Sequence, residues 1–134
     1  MRILHSFATI CLFGAGLAAA LPACSSDPAS SGDPVARGAE VWADQGCDTC
    51  HGSDAKGREG PNITMSTTAG IGAWSYQQFH DAVRLAKGKD GVALCQFMTK
   101  FEESDISEAG MQDLHAYIKS LPISDVVNRG SYCP

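Results

Sequence analysis

Five consecutive residues, Cys47-Asp48-Thr49-Cys50-His51, have the types and spacing of a C-x-x-C-H attachment site for c-type haem. Two thiols three positions apart can add to the two vinyl groups of one porphyrin and attach it covalently to the chain. The adjacent His51 is then placed to bind the iron as an axial ligand. The pentad therefore predicts one covalently bound haem c with its iron.

Two other chemistries use the same pair of cysteines. A C-x-x-C dithiol can act as a redox pair, but that interpretation leaves His51 without a role. Half of a zinc site has this spacing too, but a zinc site requires a second pair of Cys or His ligands that the chain lacks. The haem interpretation accounts for both cysteines and the histidine.

Residues 1–23 have the pattern of an export signal of the lipoprotein type. Arg2 supplies a short positive region, and residues 3–21 are apolar with small residues towards the end. The closing Leu21-Pro22-Ala23-Cys24 resembles a bacterial lipoprotein cleavage site, which predicts lipidation of Cys24. The alternative is an ordinary cleaved signal with Cys24 incidental. The apolar run is barely long enough for a membrane-spanning helix and is interrupted by small residues.

The rest of the chain divides into a short tether and one domain. Residues 24–32 are polar and rich in Ser, Pro and Gly, which is typical of a flexible tether. Ser25, directly after the candidate lipid site, favours the outer membrane by resemblance to other lipoproteins. Residues 33–134 are long enough for one domain with a limited core, to which a large apolar cofactor would add.

The charge of the mature chain limits its partners. Without the signal segment, nine Lys and Arg face fifteen Asp and Glu, a formal charge of −6. This balance argues against nucleic acid and against electrostatic binding to anionic lipid. We expect redox proteins as partners, a periplasmic location, and membrane contact only through an N-terminal lipid.

Two cysteines remain once Cys11 is assigned to the signal, Cys24 to the lipid and the pentad pair to haem. They are Cys95 and Cys133. In an oxidising compartment, an even remainder predicts a disulfide between them. The alternative is two free thiols.

Apolar residues recur at helical spacing, which predicts an all-α domain with almost no strand. A capping box at Ser75 and Gln78 predicts the start of the middle helix. Met111, Leu114 and Ile118 form the predicted buried stripe of the last helix. The expected helix boundaries, in chain order, are Asp33-Pro34 to Gly46, Ser75 to Gly88, and Ser104 to Leu121.

Over nearly all of residues 33–134 the sequence resembles a class I, mitochondrial-type, monohaem cytochrome c. Besides the pentad, the similar segments are residues 37–42, 60–62, 74–84, 98–101 and 114–122. The resemblance implies a cytochrome c fold in which the first and last helices cross. Gly38 would then meet Tyr117, with Trp42 packed in the same interface.

The resemblance also implies that Met98 is the second axial ligand, although Thr99 stands where the family usually has proline. Met65 is interpreted as loop filling, and Met111 as core packing. His80 and His115 leave a bis-His site open as an alternative, although both fit partly exposed surface positions. The predicted iron ligands are thus His51 and Met98.

Two further residues acquire roles from the resemblance. The carbonyl of Pro61 would accept the Nδ1–H of His51 and so fix the tautomer of the imidazole. Trp74 would approach a haem propionate. An ordinary turn proline and ordinary core packing are the alternatives.

Filling both axial positions leaves no open site on iron, which suits outer-sphere electron transfer and disfavours catalysis. We therefore expect a freely diffusing or membrane-tethered electron carrier. A cytochrome subunit of a periplasmic dehydrogenase or reductase complex would use the same ligands. A haem sensor or peroxidase-like enzyme would need a vacant or labile site.

Overall fold

The computed structural model describes residues 32–131. They contain four α-helices, in order α1 Pro34–Asp44, α2 Cys47–His51, α3 Tyr76–Leu85 and α4 Glu108–Ser120. No β-strand occurs in this range, where one antiparallel bridge joins Lys87 and Ala93. The all-α prediction is confirmed. The signal segment, Cys24 and Cys133 lie outside the described residues, as does nearly all of the tether. Within residues 32–131, no helix has the length and hydropathy of a membrane span.

The start of α1 follows from its first two residues. Asp33 is the N-cap, and its carboxylate accepts the backbone N–H of Val35 at 2.9 Å. Pro34 occupies the first helical position, where a missing N–H costs no helix hydrogen bond. After α1, Gly46 adopts a left-handed conformation with φ of 64°, which lets the chain turn at once into α2.

The capping box at the start of α3 is also present. Ser75 Oγ accepts the Gln78 N–H at 3.2 Å, and Gln78 Oε1 accepts the Ser75 N–H at 2.8 Å. The predicted end at Gly88 is wrong, because the helix stops at Leu85 and Ala86 turns left-handed with φ of 51°. The Ala86 carbonyl then accepts the Leu94 N–H at 2.7 Å, which directs the following loop back over α3.

The predicted start of α4 at Ser104 is wrong by one helical turn. Ser104 lies in a separate turn, closed by the N–H groups of Asp105 and Ile106 on the carbonyl of Glu102, both at 3.0 Å. Ser107 is the N-cap instead, and its hydroxyl accepts the N–H of Gly110 at 3.1 Å. The extra turn places Ile106, 2% exposed, in the core.

The core forms mainly where α1 packs on α4. A Cβ on Gly38 would meet the carbonyl oxygen of Asp113 and lie 2.7 Å from Tyr117 Cβ, so only glycine allows the two backbones this close. The Trp42 ring is 5.8 Å from the Tyr117 ring and is almost fully buried. The predicted contact between the first and last helices is confirmed. The predicted stripe is buried as well: Met111, Leu114 and Ile118.

Candidate haem-binding site

The pentad forms a helix of its own, α2, which the sequence did not predict. Cys47, Cys50 and His51 are spaced three and four residues apart and therefore lie on one face of a helical turn. The two thiols are partly buried and are the free thiols of the described residues, whereas His51 is 8% exposed. A thiol pair and an imidazole thus share one side of a single turn.

The environment of Cys47 disfavours a redox dithiol. Burial raises the pKa of its thiol to about 11, and the nearby carboxylate of Asp48 acts in the same direction. Reactive C-x-x-C pairs work through a cysteine whose pKa is lowered, since the thiolate is the nucleophile. At neutral pH Cys47 is instead a protonated thiol.

The imidazole of His51 has a fixed tautomer. Its Nδ1 lies 2.9 Å from the carbonyl oxygen of Pro61. A carbonyl can only accept, so Nδ1 carries the proton and donates, and Nε2 keeps the lone pair that a metal would take. Burial lowers the pKa of His51, while the Pro61 carbonyl opposes that shift. The ring is therefore neutral at neutral pH.

Gly60 allows the loop before Pro61 to lie against the imidazole. A Cβ at this position would be 3.0 Å from His51 Cε1 and 3.1 Å from Nδ1. Two backbone bonds hold the loop to α2, from Gly60 N–H to Cys50 O at 2.7 Å and from Gly57 N–H to His51 O at 2.9 Å. The Pro61 carbonyl is thus presented by a loop bonded to the pentad itself.

Two cavities adjoin this turn and share three lining residues: His51, Pro61 and Met98. One, of about 100 Å³, is also lined by Cys47 and Cys50. The other, of about 250 Å³, has mostly apolar walls that include Ile63, Ile71, Trp74, Phe79, Val83 and Leu94. Such a cleft suits a large apolar ring held at one edge by two thiols.

Met98 lies on a loop that α3 holds at both ends. The Ala86 carbonyl accepts from Leu94 at the start of the loop, and the Val83 carbonyl accepts the Phe101 N–H at 3.1 Å at its end. The Met98 N–H closes a turn on Cys95 O at 2.9 Å. The loop therefore brings the Met98 side chain to the wall of both cavities.

The model of the Cytochrome c family matches residues 35–122, a span that contains all four helices except the first residue of α1. This chain belongs to the cytochrome c family. Haem c, covalently bound and containing iron, is the cofactor of that family, and electron transfer is its function. The prediction of the cofactor is confirmed.

One relative among the characterised proteins is similar over much of the domain. It is a nicotinate dehydrogenase polypeptide of Pseudomonas putida, 33% identical over 98 residues, which is 63% of this chain. The match spans 8% of the length of that much larger protein. The similarity thus concerns a cytochrome c domain within a longer chain.

The residues of this cytochrome c fit its cofactor. Cys47 and Cys50 would hold haem c through thioether bonds, and Nε2 of His51 is the nitrogen left for iron. Haem c supplies a one-electron couple between ferric and ferrous iron. The chain supplies the rest: the Pro61 carbonyl orients the imidazole, and the apolar walls keep water away. Within residues 32–131, no group of three or more His, Cys, Asp or Glu could hold a metal ion.

The other candidate ligands lie elsewhere. Met65 and Met111 line neither cavity; Met111 is fully buried within α4, and Met65 packs against the core. His115 packs with its ring centroid 4.9 Å from that of Phe79, and His80 lies 3.3 Å from a carboxylate oxygen of Glu108. Neither histidine lines the two cavities.

Trp74 lines the larger cavity and also packs against the core. Both interpretations of this residue, contact with a propionate and core packing, require the position it occupies. Its contact with a propionate stays a prediction.

Arg84 supports the ligand loop in a way that its sequence context does not indicate. Its guanidinium donates to the carbonyls of Phe101, Glu102 and Ile106 at 3.0, 2.7 and 2.5 Å, and it pairs with Glu103 at 2.8 Å. The side chain is only 10% exposed. From sequence, a basic residue in the last turn of an amphipathic helix indicates a solvated charge, and nothing marks the three distant carbonyls.

Proposed function

We propose that this cytochrome c is a periplasmic electron carrier whose single haem c has His51 and Met98 as axial ligands. The observation that carries the proposal is that both side chains line the same two cavities beside the pentad thiols. Of the described methionines, Met98 alone is in that position.

The proposed ligand pair suits outer-sphere electron transfer. With an imidazole and a thioether on iron, no coordination site is open to oxygen or peroxide. The soft, neutral thioether favours ferrous iron relative to a second imidazole and so raises the reduction potential. The ligand loop is bonded to α3 at both ends, which limits rearrangement between the two oxidation states.

Absorption spectra of the purified protein in both oxidation states test this proposal. We expect a low-spin c-type spectrum with a sulfur-to-iron charge-transfer band in the ferric form, and no carbon monoxide binding to the ferrous form at neutral pH. Ready carbon monoxide binding would contradict it and would favour a sensor or a peroxidase-like enzyme.

We also propose that the protein is exported and anchored by a lipid on Cys24, with the outer membrane favoured. The lipoprotein-like cleavage site and Ser25 support this location. Cys24→Ser should release the protein into the soluble periplasm or leave it uncleaved, whereas Ser25→Ala, the control, should stay with membranes. A native mass that shows an unmodified Cys24 would contradict the anchor.

A second candidate is a cytochrome subunit of a periplasmic dehydrogenase complex. The observation that favours it is the similarity to one domain of the nicotinate dehydrogenase polypeptide. Purification from its native membranes in mild detergent separates the two candidates. A carrier would elute alone, whereas a component of a complex would elute with a stable larger partner that reduces the haem when its substrate is added.

A further inference from the structure

After α4, residues 124–130 run in an irregular conformation along the loop that carries Pro61. We call residues 124–130 the proximal strap. They follow the last residue, 122, at which the cytochrome c family model matches. The strap is therefore an addition of this chain to the family domain, and its contacts are with the loop beside the haem-binding turn.

Asn62 is the main link between that loop and the strap. It is 3% exposed, and its amide nitrogen donates to the carbonyls of Ser124 at 2.8 Å and Val126 at 2.9 Å. Its backbone N–H donates to the carbonyl of Asn128 at 2.8 Å. On the loop side, its amide oxygen accepts from the N–H and the hydroxyl of Thr64 at 2.9 and 2.8 Å. The side chain next to Pro61 is thus fully hydrogen-bonded, and its donors all serve the strap.

A second contact lies behind the axial histidine. Gly130 has a φ of 77°, and a Cβ there would meet the carbonyl oxygen of Glu59 and lie 2.9 Å from Gly60 Cα. Gly60 in turn lies against the imidazole of His51. The strap, the loop and the His51 ring are therefore three successive layers, and no space separates the strap from the loop at Gly60.

The other end of the strap is held away from Pro61. Asp125 accepts hydrogen bonds from the hydroxyls of Ser66 at 2.6 Å and Thr68 at 3.3 Å. Ser66 is 1% exposed. This contact stabilises the strap without touching the residue that bonds to His51, so it offers an internal control.

We propose that the proximal strap is a positioning element for the axial ligand: through Asn62 and Gly130 it holds the Pro61 carbonyl on the His51 Nδ1–H. This inference rests on His51 binding iron, as in the proposed function. Asn62 is a positioning residue, because it acts on His51 through Pro61.

The expected electronic effect has a definite sign. A well-aligned Nδ1–H···O bond increases the electron donation of the imidazole and so stabilises ferric iron. If the strap is loosened, the Pro61 carbonyl moves more freely and this bond weakens. The ferric form is then less stabilised, and the reduction potential rises.

The test compares three neutral substitutions in the haem-loaded protein. Asn62→Ala removes the side-chain donors to the strap, and Gly130→Ala forces the strap away from Gly60 while keeping every hydrogen-bonding side chain. Ser66→Ala, the control, cuts the distant contact with Asp125. For each variant, the measurements are the reduction potential, the solvent exchange of the His51 Nδ1–H by nitrogen NMR in the ferrous state, and the denaturant midpoint.

We expect Asn62→Ala and Gly130→Ala to accelerate the exchange of the Nδ1–H about tenfold and to raise the potential. Ser66→Ala should leave both unchanged, even where its denaturant midpoint falls as far. The proposal is overturned if exchange and potential follow the midpoint equally in all three variants, or if they do not change in the first two. If Asn62→Ala does not fold, Gly130→Ala decides.

Failure of this inference and failure of the proposed function give different results. If His51 does not bind iron, the unsubstituted protein lacks the low-spin spectrum of an axially ligated haem c. If His51 binds iron but the strap has no effect on it, that spectrum is normal and the two strap variants share the potential of the unsubstituted protein.

Discussion

Arg37 on α1 donates from Nε and Nη2 to the two carboxylate oxygens of Asp113 on α4, and both distances are 2.7 Å. The same Asp113 supplies the backbone carbonyl that lies against Gly38. A bidentate Arg–carboxylate pair permits only one orientation of its partners. The pair therefore fixes the register in which α4 faces the one residue of α1 that allows close approach.

Gly38→Ala should separate the two helices. The new Cβ would meet the backbone of Asp113, which cannot move without shifting α4, so we expect a loss of about 3 kcal/mol of unfolding free energy. Denaturant unfolding followed by circular dichroism measures it. Gly110→Ala on α4 is the control, because a Cβ there meets only ordinary contacts of 3.4–3.6 Å. That variant should be neutral or stabilised by up to about 1 kcal/mol. Equal effects of the two changes would contradict the close-approach role of Gly38.

Met98→Ala should abolish the sulfur-to-iron charge-transfer band of the ferric protein and lower its reduction potential, because the thioether that favours ferrous iron is lost. Absorption spectroscopy and redox titration measure the two effects. Met111→Ala is the matched control: it should keep the band but cost about 2–5 kcal/mol of stability, since Met111 is fully buried in the core. A band that survives in Met98→Ala would assign the ligand to Met65 or Met111.

Cys133→Ser tests the predicted disulfide with Cys95, which stays a prediction because Cys133 lies outside the described residues. The bond would close a loop of 39 residues and stabilise the fold by about 3–4 kcal/mol. It would also restrain the turn that carries Met98, since Cys95 O accepts the Met98 N–H. We expect the temperature at which the charge-transfer band disappears to fall by more than the unfolding temperature. A parallel fall of both would indicate a general staple, and ready alkylation of both thiols in the native protein would exclude the bond.

His115 should make the protein less stable in mild acid. Burial against Phe79, with a smaller contribution from the charge of Lys119, lowers the pKa of His115 below its ordinary value of about 6.5. Below that pH the unfolded chain binds a proton more readily than the folded one, so the free energy of unfolding decreases as the pH falls through about 6.5. The decrease ends once the pH is below the pKa of the folded state.

Denaturant midpoints at pH 7.5 and 5.5 measure this effect. The decrease should be smaller in His115→Gln, which cannot titrate. Lys119→Gln, which removes only the secondary cause, should retain most of it. An unchanged decrease in His115→Gln would show that other groups are responsible.

Local signals were the ones that could be interpreted from sequence. The Asp33 cap, the capping box at Ser75 and the pentad each depend on residues within five positions of one another, so their types and spacing are enough. The end of α3 and the start of α4 were predicted wrongly for a related reason. Ser104 and Ser107 are equally good caps locally, and the burial of Ile106 in the assembled core decides between them.

The cofactor, the class of fold and the contact of Gly38 with the last helix could all be predicted from residue types, because each follows from a short motif or a known order of motifs. The folded chain was needed to show that Met98 reaches the cavities, that Arg84 holds the loop behind it, and that the strap lies on Asn62. These relationships join residues 13 to 66 positions apart. Their partners are mostly backbone carbonyls, which every residue has, so no residue type in the sequence reveals them. Close packing of the loops on α2 and α3 decides which carbonyls are near enough to bond.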